Sequence, residues 1–244
     1  MGVYFRNLDT IITHHQQKHT SLQNLKKAML EKMFPRDGAD VPELRFKGFE
    51  GAWDVVELGK LTVEVVRKAP EESAAPIMMI SAASGFINQS EKYSTDNAGS
   101  SLKNYTLLKK GELSYNHGYS KLRNYGSCFE LREEEARVPF VYHSFSLPED
   151  DATFYSQYLN SGIFDKELKK RVSSTARMDG LLNISYESYM TLNVGHPCFE
   201  EQKKIANYFQ NLDALISHQQ KKIEHLKHLK SALLEKMFVS EKAA

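Results

Sequence analysis

Along residues 4–34 the seam positions recur at alternating steps of four and three. Leu8, Ile12, Leu22, Met29 and Met33 are its apolar members, and His15, His19 and Lys26 are polar interruptions. The same rhythm returns at Leu212, Ile216, Ile223, Leu226, Leu233 and Met237, interrupted by Gln219 and Lys230. A four-three rhythm keeps these side chains on one stripe of an α-helix. Both stretches are therefore predicted to be long amphipathic helices with a heptad seam of about four heptads. Leu25 and Leu229 widen the stripe, and neither stretch contains Gly or Pro. Laid over each other without a gap, residues 4–34 and 208–238 are identical at 18 of 31 positions.

The helix ends are also legible. Pro35 pushes Phe34 out of the α region, and residues 35–38 carry turn chemistry. The second helix is expected to begin after Pro197, with Glu200 and Glu201 in its first turn, where the helix dipole favours negative charge. It would then run for roughly 38 residues, about 57 Å. A helical lead-in, EEQKKIAN, precedes the second Tyr-Phe pair, whereas only Met1-Gly2-Val3 precedes the first. The first copy is expected to be a truncated version of the unit that the second copy completes.

Between the helices the pattern changes to short β-like runs separated by Gly, Ser and Asn turns: residues 61–66, 77–80, 105–108, 113–115 and 128–131. Helical stretches are expected over 149–160 and 163–172, followed by the polar, loop-like SSTARMDGLLNIS. The predicted class is α+β. One mixed globular domain (35–196) lies between a first helix (1–34) and a second helix with a short tail (197–244). If the two helices pair within the chain they must run antiparallel, as a nearly two-fold-symmetric coiled-coil stalk.

Composition narrows the class only a little. The chain is 41% hydrophobic and 26% charged, as in ordinary globular proteins. No apolar run approaches the roughly 18 to 20 residues needed to span a bilayer, and no signal-peptide pattern opens the chain. Cys128 and Cys198 are expected to be reduced thiols of a cytoplasmic protein, in buried structural positions. Net charge is +1, and residues 53–199 hold 16 Lys and Arg against 19 Asp and Glu. A nucleic-acid binder of this composition must concentrate its cations on one face.

Three runs carry a family resemblance. VPELRFKGFEGAWDVVELGKL (41–61) resembles the opening of a target-recognition domain in the specificity (S) subunit of Type I restriction-modification systems. RMDGLLNISYESYMTLNVGHP (177–197) resembles its close, and EEQKKIANYFQNLDALI (200–216) resembles the start of that family's spacer helix. The resemblance spans nearly the whole chain. It implies a half-sized subunit with one recognition domain, where a full subunit has two. It further implies a non-catalytic reader of double-stranded DNA that needs no cofactor of its own. Its partners would be modification (methyltransferase) subunits and, through the complex, restriction subunits, and half-subunits are expected to self-associate or pair with another half. No Walker-type phosphate loop and no Asn-Pro-Pro-aromatic motif of adenine methylation occurs.

The resemblance hands over no base-contacting residues, so those are chosen on chemistry. Asn116, His117, Tyr119, Ser120, Lys121 and Arg123 interleave amide, cation, hydroxyl and aromatic groups around Gly118. Asn suits adenine and Arg suits guanine, while Lys121 and Tyr119 suit phosphates. A second stretch holds Lys169, Lys170, Arg171, Ser173, Ser174, Thr175 and Arg177. A solvated hairpin loop and a solvated helix end are the plainer readings of the two. Pro148-Glu149-Asp150-Asp151 with Glu167-Leu168-Lys169 imitates a metal-dependent nuclease pattern. That chemistry needs carboxylates converging on Mg²⁺, whereas these fall on helix starts and helical runs, where acids are expected anyway. His15 with His19, and His225 with His228, are helix-face pairs with too few ligands for zinc, so no metal is expected. The rival to DNA recognition is a coiled-coil adaptor, or a silent recombination cassette, whose head binds protein.

Overall fold

The computed structural model describes residues 2–36, 38–70, 72–91, 99–172 and 182–239. Its helices are α1 (Gly2–Met33), α2 (Ala152–Leu159), α3 (Asp165–Arg171), α4 (Tyr186–Met190) and α5 (Phe199–Val239). Its first strands are β1 (Asp54–Glu57), β2 (Val63–Glu64), β3 (Met78–Ser81), β4 (Gly85–Asn88) and β5 (Thr106–Lys109). Then come β6 (Leu113–Asn116), β7 (Ser127–Glu130), β8 (Glu135–Val138), β9 (His143–Ser146) and β10 (Asn193–His196). The chain forms two compact units, one of Met1–Met29 with Asn207–Ala244 and the other of Leu30–Ala206.

The first unit, the stalk, is built from most of α1 and α5. The four-three positions of both helices are buried or half-buried, from Leu8, Ile12 and Leu22 to Met29, and from Leu212, Ile216, Ile223 and Leu226 to Leu233 and Met237. Three polar contacts cross the seam and set the direction of pairing. His15 Nδ1 lies 2.9 Å from Gln219 Oε1, Lys26 pairs with Asp213 at 2.6 Å, and Lys230 pairs with Asp9 at 2.5 Å. Early residues of one helix meet late residues of the other, so the helices are antiparallel.

These contacts also reveal the symmetry of the repeat. In the overlay of the two copies Lys26 corresponds to Lys230, Asp9 to Asp213 and His15 to Gln219. The two ion pairs are thus one interaction made twice, and the His15–Gln219 pair lies on the pseudo-two-fold axis between them. Each ion pair is partly exposed and adds about 0.2–1 kcal/mol. Their larger effect is on register, since a polar group on a seam favours the one alignment in which it finds a partner.

The second unit, the head, is an antiparallel β structure with short helices. Its largest sheet has the order β2-β9-β6-β7, and β1-β10, β3-β4 and β5-β8 form two-stranded ladders. Val65, Met78, Ile80, Leu108, Leu131, Ala136, Val138 and Tyr142 form one apolar core. The predicted strand runs lie at β2, β3, β5, β6 and β7, within one or two residues at most ends. Helix α2 starts at Ala152 instead of 149 because Asp151 is its N-cap, accepting a bond from Phe154 N at 2.8 Å.

Strand β1 pairs with β10 in the register Asp54↔His196 to Glu57↔Asn193, joining the opening and closing runs of the head. A second cluster, of aromatic rings, lies beside this ladder. Phe34 stacks on Tyr158 with centroids 4.6 Å apart and meets Trp53 and Phe154 edge-on. Gly195 is required here, because a Cβ would stand 2.7 Å from Trp53 Cε3.

Candidate nucleic-acid interface

The segment 117–126 joins β6 to β7 and holds the first set of candidate residues. Ser120 and Arg123 exchange backbone hydrogen bonds, so Lys121 and Leu122 form the tip of a tight turn. Lys121, Tyr119 and Leu122 are exposed, the last two at 61% and 69%. Tyr115 donates its hydroxyl proton to the Tyr125 carbonyl, and Gly126, at φ +83°, closes the turn where a Cβ would meet the Asn116 carbonyl oxygen at 2.5 Å. The base of this loop is therefore held in one conformation, with its tip presented to solvent.

Four of the six candidates are used to build the loop, Ser120 among them, since its hydroxyl accepts from Arg123 N at 3.0 Å within the turn. His117 is 3% exposed, with Nε2 2.9 Å from the Val141 carbonyl oxygen and Nδ1 facing that of Leu182. Its ring stacks on His143 at 4.9 Å, and His143 Nε2 lies 2.8 Å from the Ile184 carbonyl oxygen. The two imidazoles hold residues 182–184, so the expectation that His117 reaches DNA is not met by its placement. Asn116 accepts from Gly118 N and donates to the Ile80 carbonyl, a local Asx geometry. Arg123 donates to the Asn160 carbonyl at the end of α2. Burial lowers the Arg123 pKa, and the nearby Asp165 carboxylate partly offsets this.

In the second stretch Lys169 and Lys170 are exposed on the last turn of α3, and Lys170 pairs with Glu167. Arg171 is turned away from solvent. It donates to the Ser188 and Thr191 carbonyls and to Glu167, tying α3 to the end of α4. Lys170 and Arg171 together hold the Glu167 carboxyl below its usual pKa. Ser173, Ser174, Thr175 and Arg177 lie outside the described residues.

Asp150, Asp151 and Glu167 of the nuclease-like pattern have other partners. Asp151 caps α2, and Asp150 Oδ1 lies 2.9 Å from His196 Nε2 and accepts from Gln202 Nε2 at 2.7 Å. Among the described residues no three His, Cys, Asp or Glu side chains are grouped so as to hold a metal ion. Cys128 is buried, which pushes its thiol pKa above the usual range, whereas Cys198 is exposed, contrary to the expected burial.

The sequence reading missed an open cleft of about 240 Å³ beside β9, lined by Glu64, Lys68, Asn104, Phe140, His143 and Tyr186 among others. Burial and the Glu64 charge raise the Tyr186 hydroxyl to about 12. No pattern along the chain marks this cleft, because its walls come from four separated segments.

Taken together, these features define a class: an antiparallel β head with short helices, between two long helices that repeat one sequence and pair around a pseudo-two-fold axis. Solved structures show the same architecture. The chain matches the HsdS subunit from Thermoanaerobacter tengcongensis with TM-score 0.55 and 15% identity, over 96% of its own length and 55% of that chain. It matches a chain from a structure of complex assembly and conformational transition in the type I R-M system with TM-score 0.55 and 15% identity, over 97% and 56%. The fold is that of Type I specificity subunits, and the chain spans little more than half the length of these two. No protein-family model matches it, and no curated protein matches it in sequence.

Proposed function

We propose that the chain acts as the specificity subunit of a Type I restriction-modification complex. Its head reads one half of a bipartite DNA target, its stalk docks modification subunits, and restriction subunits join through the complex. Methylation and cleavage then reside in those partners, and the chain itself is non-catalytic. The observation that carries this reading is the likeness to HsdS over 96% of the chain, in a molecule whose stalk repeats one ion pair across a pseudo-two-fold axis. Such a stalk suits a ruler for two half-sites, since symmetric spacing on the protein sets spacing on the duplex.

Within the head, Lys121, Tyr119, Lys169 and Lys170 are the described candidates left open to DNA. Binding to phosphates is sequence-independent and salt-sensitive. In gel shifts of the chain with its modification subunit, Lys121→Ala is expected to weaken binding to all sequences alike and to reduce the salt slope by about 1. Its melting temperature should stay unchanged. Arg123→Ala should instead lower head stability by about 1–3 kcal/mol, the cost of leaving a buried partner unpaired. Salt-independent retention of DNA, or none at low salt, contradicts the reading.

A further inference from the structure

His117 makes more hydrogen bonds than a neutral imidazole can supply. Its ring is buried, and both nitrogens lie against backbone carbonyls: Nδ1 is 2.5 Å from the Leu182 oxygen and Nε2 is 2.9 Å from the Val141 oxygen. A carbonyl oxygen only accepts, so each nitrogen must donate. A neutral imidazole carries one N–H and one lone pair, and both nitrogens donate only in the imidazolium form. In either neutral tautomer a ring lone pair would face a carbonyl lone pair, buried and without a partner, which is destabilising.

These contacts are tied into the backbone. Leu182 N donates back to the His117 carbonyl at 2.8 Å, so residues 117 and 182 are joined through main chain and side chain alike. The His143 ring covers one face of His117, with centroids 4.9 Å apart and planes 9° from parallel. His143 Nε2 lies 2.8 Å from the Ile184 oxygen. One tie therefore joins the start of the loop 117–126, the carbonyl at 141 and the run 182–184. The loop so anchored is the one that presents Tyr119 and Lys121 to solvent.

Burial alone disfavours a charged imidazole, so the groups around the two rings matter. With both nitrogens on carbonyls, no carboxylate pairs with His117 directly. From β6, Tyr115 lies beside it with its hydroxyl donated to the Tyr125 carbonyl. Burial above all, then Cys128 and Asp165, keeps that phenol neutral, and Asp165 is itself matched by Arg123. From α4, Tyr189 is held neutral by burial, and Tyr186, edge-on to His143, loses its proton only at about 12. Glu187 on the same helix is ionised. Its own backbone N–H and the Ser185 hydroxyl hold its carboxyl below the usual range, and His143 adds to this. Glu64 and Lys68 line the cleft that His143 borders and offset each other in charge. The described charges around the pair thus sum to one carboxylate, which favours a proton on the rings.

We propose that His117 is a proton-dependent positioning residue. As the imidazolium it bridges the Val141 and Leu182 carbonyls and holds the base of the DNA-facing loop, and loss of one proton breaks one of these bonds. The proton count rests on hydrogen-bond geometry, and the effect on DNA rests on the reading of the head as the DNA-binding element. The clamp is complete at low pH and is lost as pH rises through the titration of the imidazole, so DNA binding weakens with rising pH.

The test begins with the full chain, labelled with 15N. Ring-nitrogen NMR at pH 6 should show both His117 nitrogens protonated, and a single protonated nitrogen overturns the proposal. DNA affinity is then measured from pH 6 to pH 8 for the chain with its modification subunit. His117→Lys keeps a cation able to donate to both carbonyls, whereas His117→Gln donates from one end only at every pH. Across this range the wild type should lose about tenfold more affinity than His117→Lys. His117→Gln should bind weakly throughout, without that change. Equal pH profiles for the wild type and His117→Lys overturn the proposal. If the wild-type complex binds no DNA at any pH, the proposed function fails instead, and hydrogen exchange at the Leu182 amide decides the clamp. Faster exchange at pH 8 in the wild type than in His117→Lys supports it, and equal rates overturn it.

Discussion

An Arg45→Met head unfolds at a free energy about 3–5 kcal/mol below that of the wild type. Arg45 lies in the opening run of the head and Glu201 in the first turn of α5. The guanidinium donates from Nε and Nη2 to the two carboxylate oxygens, both at 2.7 Å, and its remaining arm reaches the Gly51 carbonyl. Glu201 is fully buried and Arg45 only 15% exposed. The bidentate contact to Glu201 holds the Arg45 pKa above its usual value. Removing the cation leaves a carboxylate with no water and no counter-charge, which is why the cost exceeds that of an exposed ion pair. The double variant Arg45→Met/Glu201→Met should recover most of the loss, because well-packed apolar groups can replace a buried pair. Urea unfolding of the four proteins of this cycle measures both effects. A double variant as unstable as the single one would place the energy in packing instead of charge.

The second large effect is expected at Phe34. This residue is 1% exposed and lies among Tyr158, Trp53 and Phe154, with the Tyr158 ring stacked 10° from parallel. Phe34→Ala removes a ring from the centre of that cluster and leaves a cavity that the surrounding structure closes only in part. The expected cost is about 3–5 kcal/mol, against less than about 1.5 kcal/mol for Phe34→Leu, which keeps most of the volume. Denaturant titration of both variants checks this, and equal losses would mean that ring stacking rather than volume is at stake.

The two helices were legible because a heptad seam is a local signal, and 18 identities in 31 positions repeat it. Of the polar seam residues, His15 and Gln219 pair with each other, while Lys26 and Lys230 pair with Asp213 and Asp9 beside the seam. The head was legible only where strands are short apolar runs with turns beside them. Strands β1, β4, β8, β9 and β10, and helix α4, carry no such pattern. Asp54–Glu57 and Asn193–His196, for example, become a ladder through a pairing about 140 residues apart in sequence. Likewise nothing along the chain marks Arg45 and Glu201 as a buried pair, since burial of a charge depends on a partner that sequence order does not bring near. The loop 117–126 was recognisable as polar and Gly-marked. Which of its side chains face inward was not, because His117, Asn116 and Arg123 are turned by carbonyls at 141, 182, 80 and 160.

Base-resolved mapping of adenine methylation, in cells expressing this chain with a modification subunit and no other specificity subunit, tests the central claim most directly. The account predicts methylation at a single defined bipartite motif, one half of which this head reads. It also predicts that the motif disappears when the chain is omitted. Methylation that is absent, or unchanged without the chain, would contradict the account.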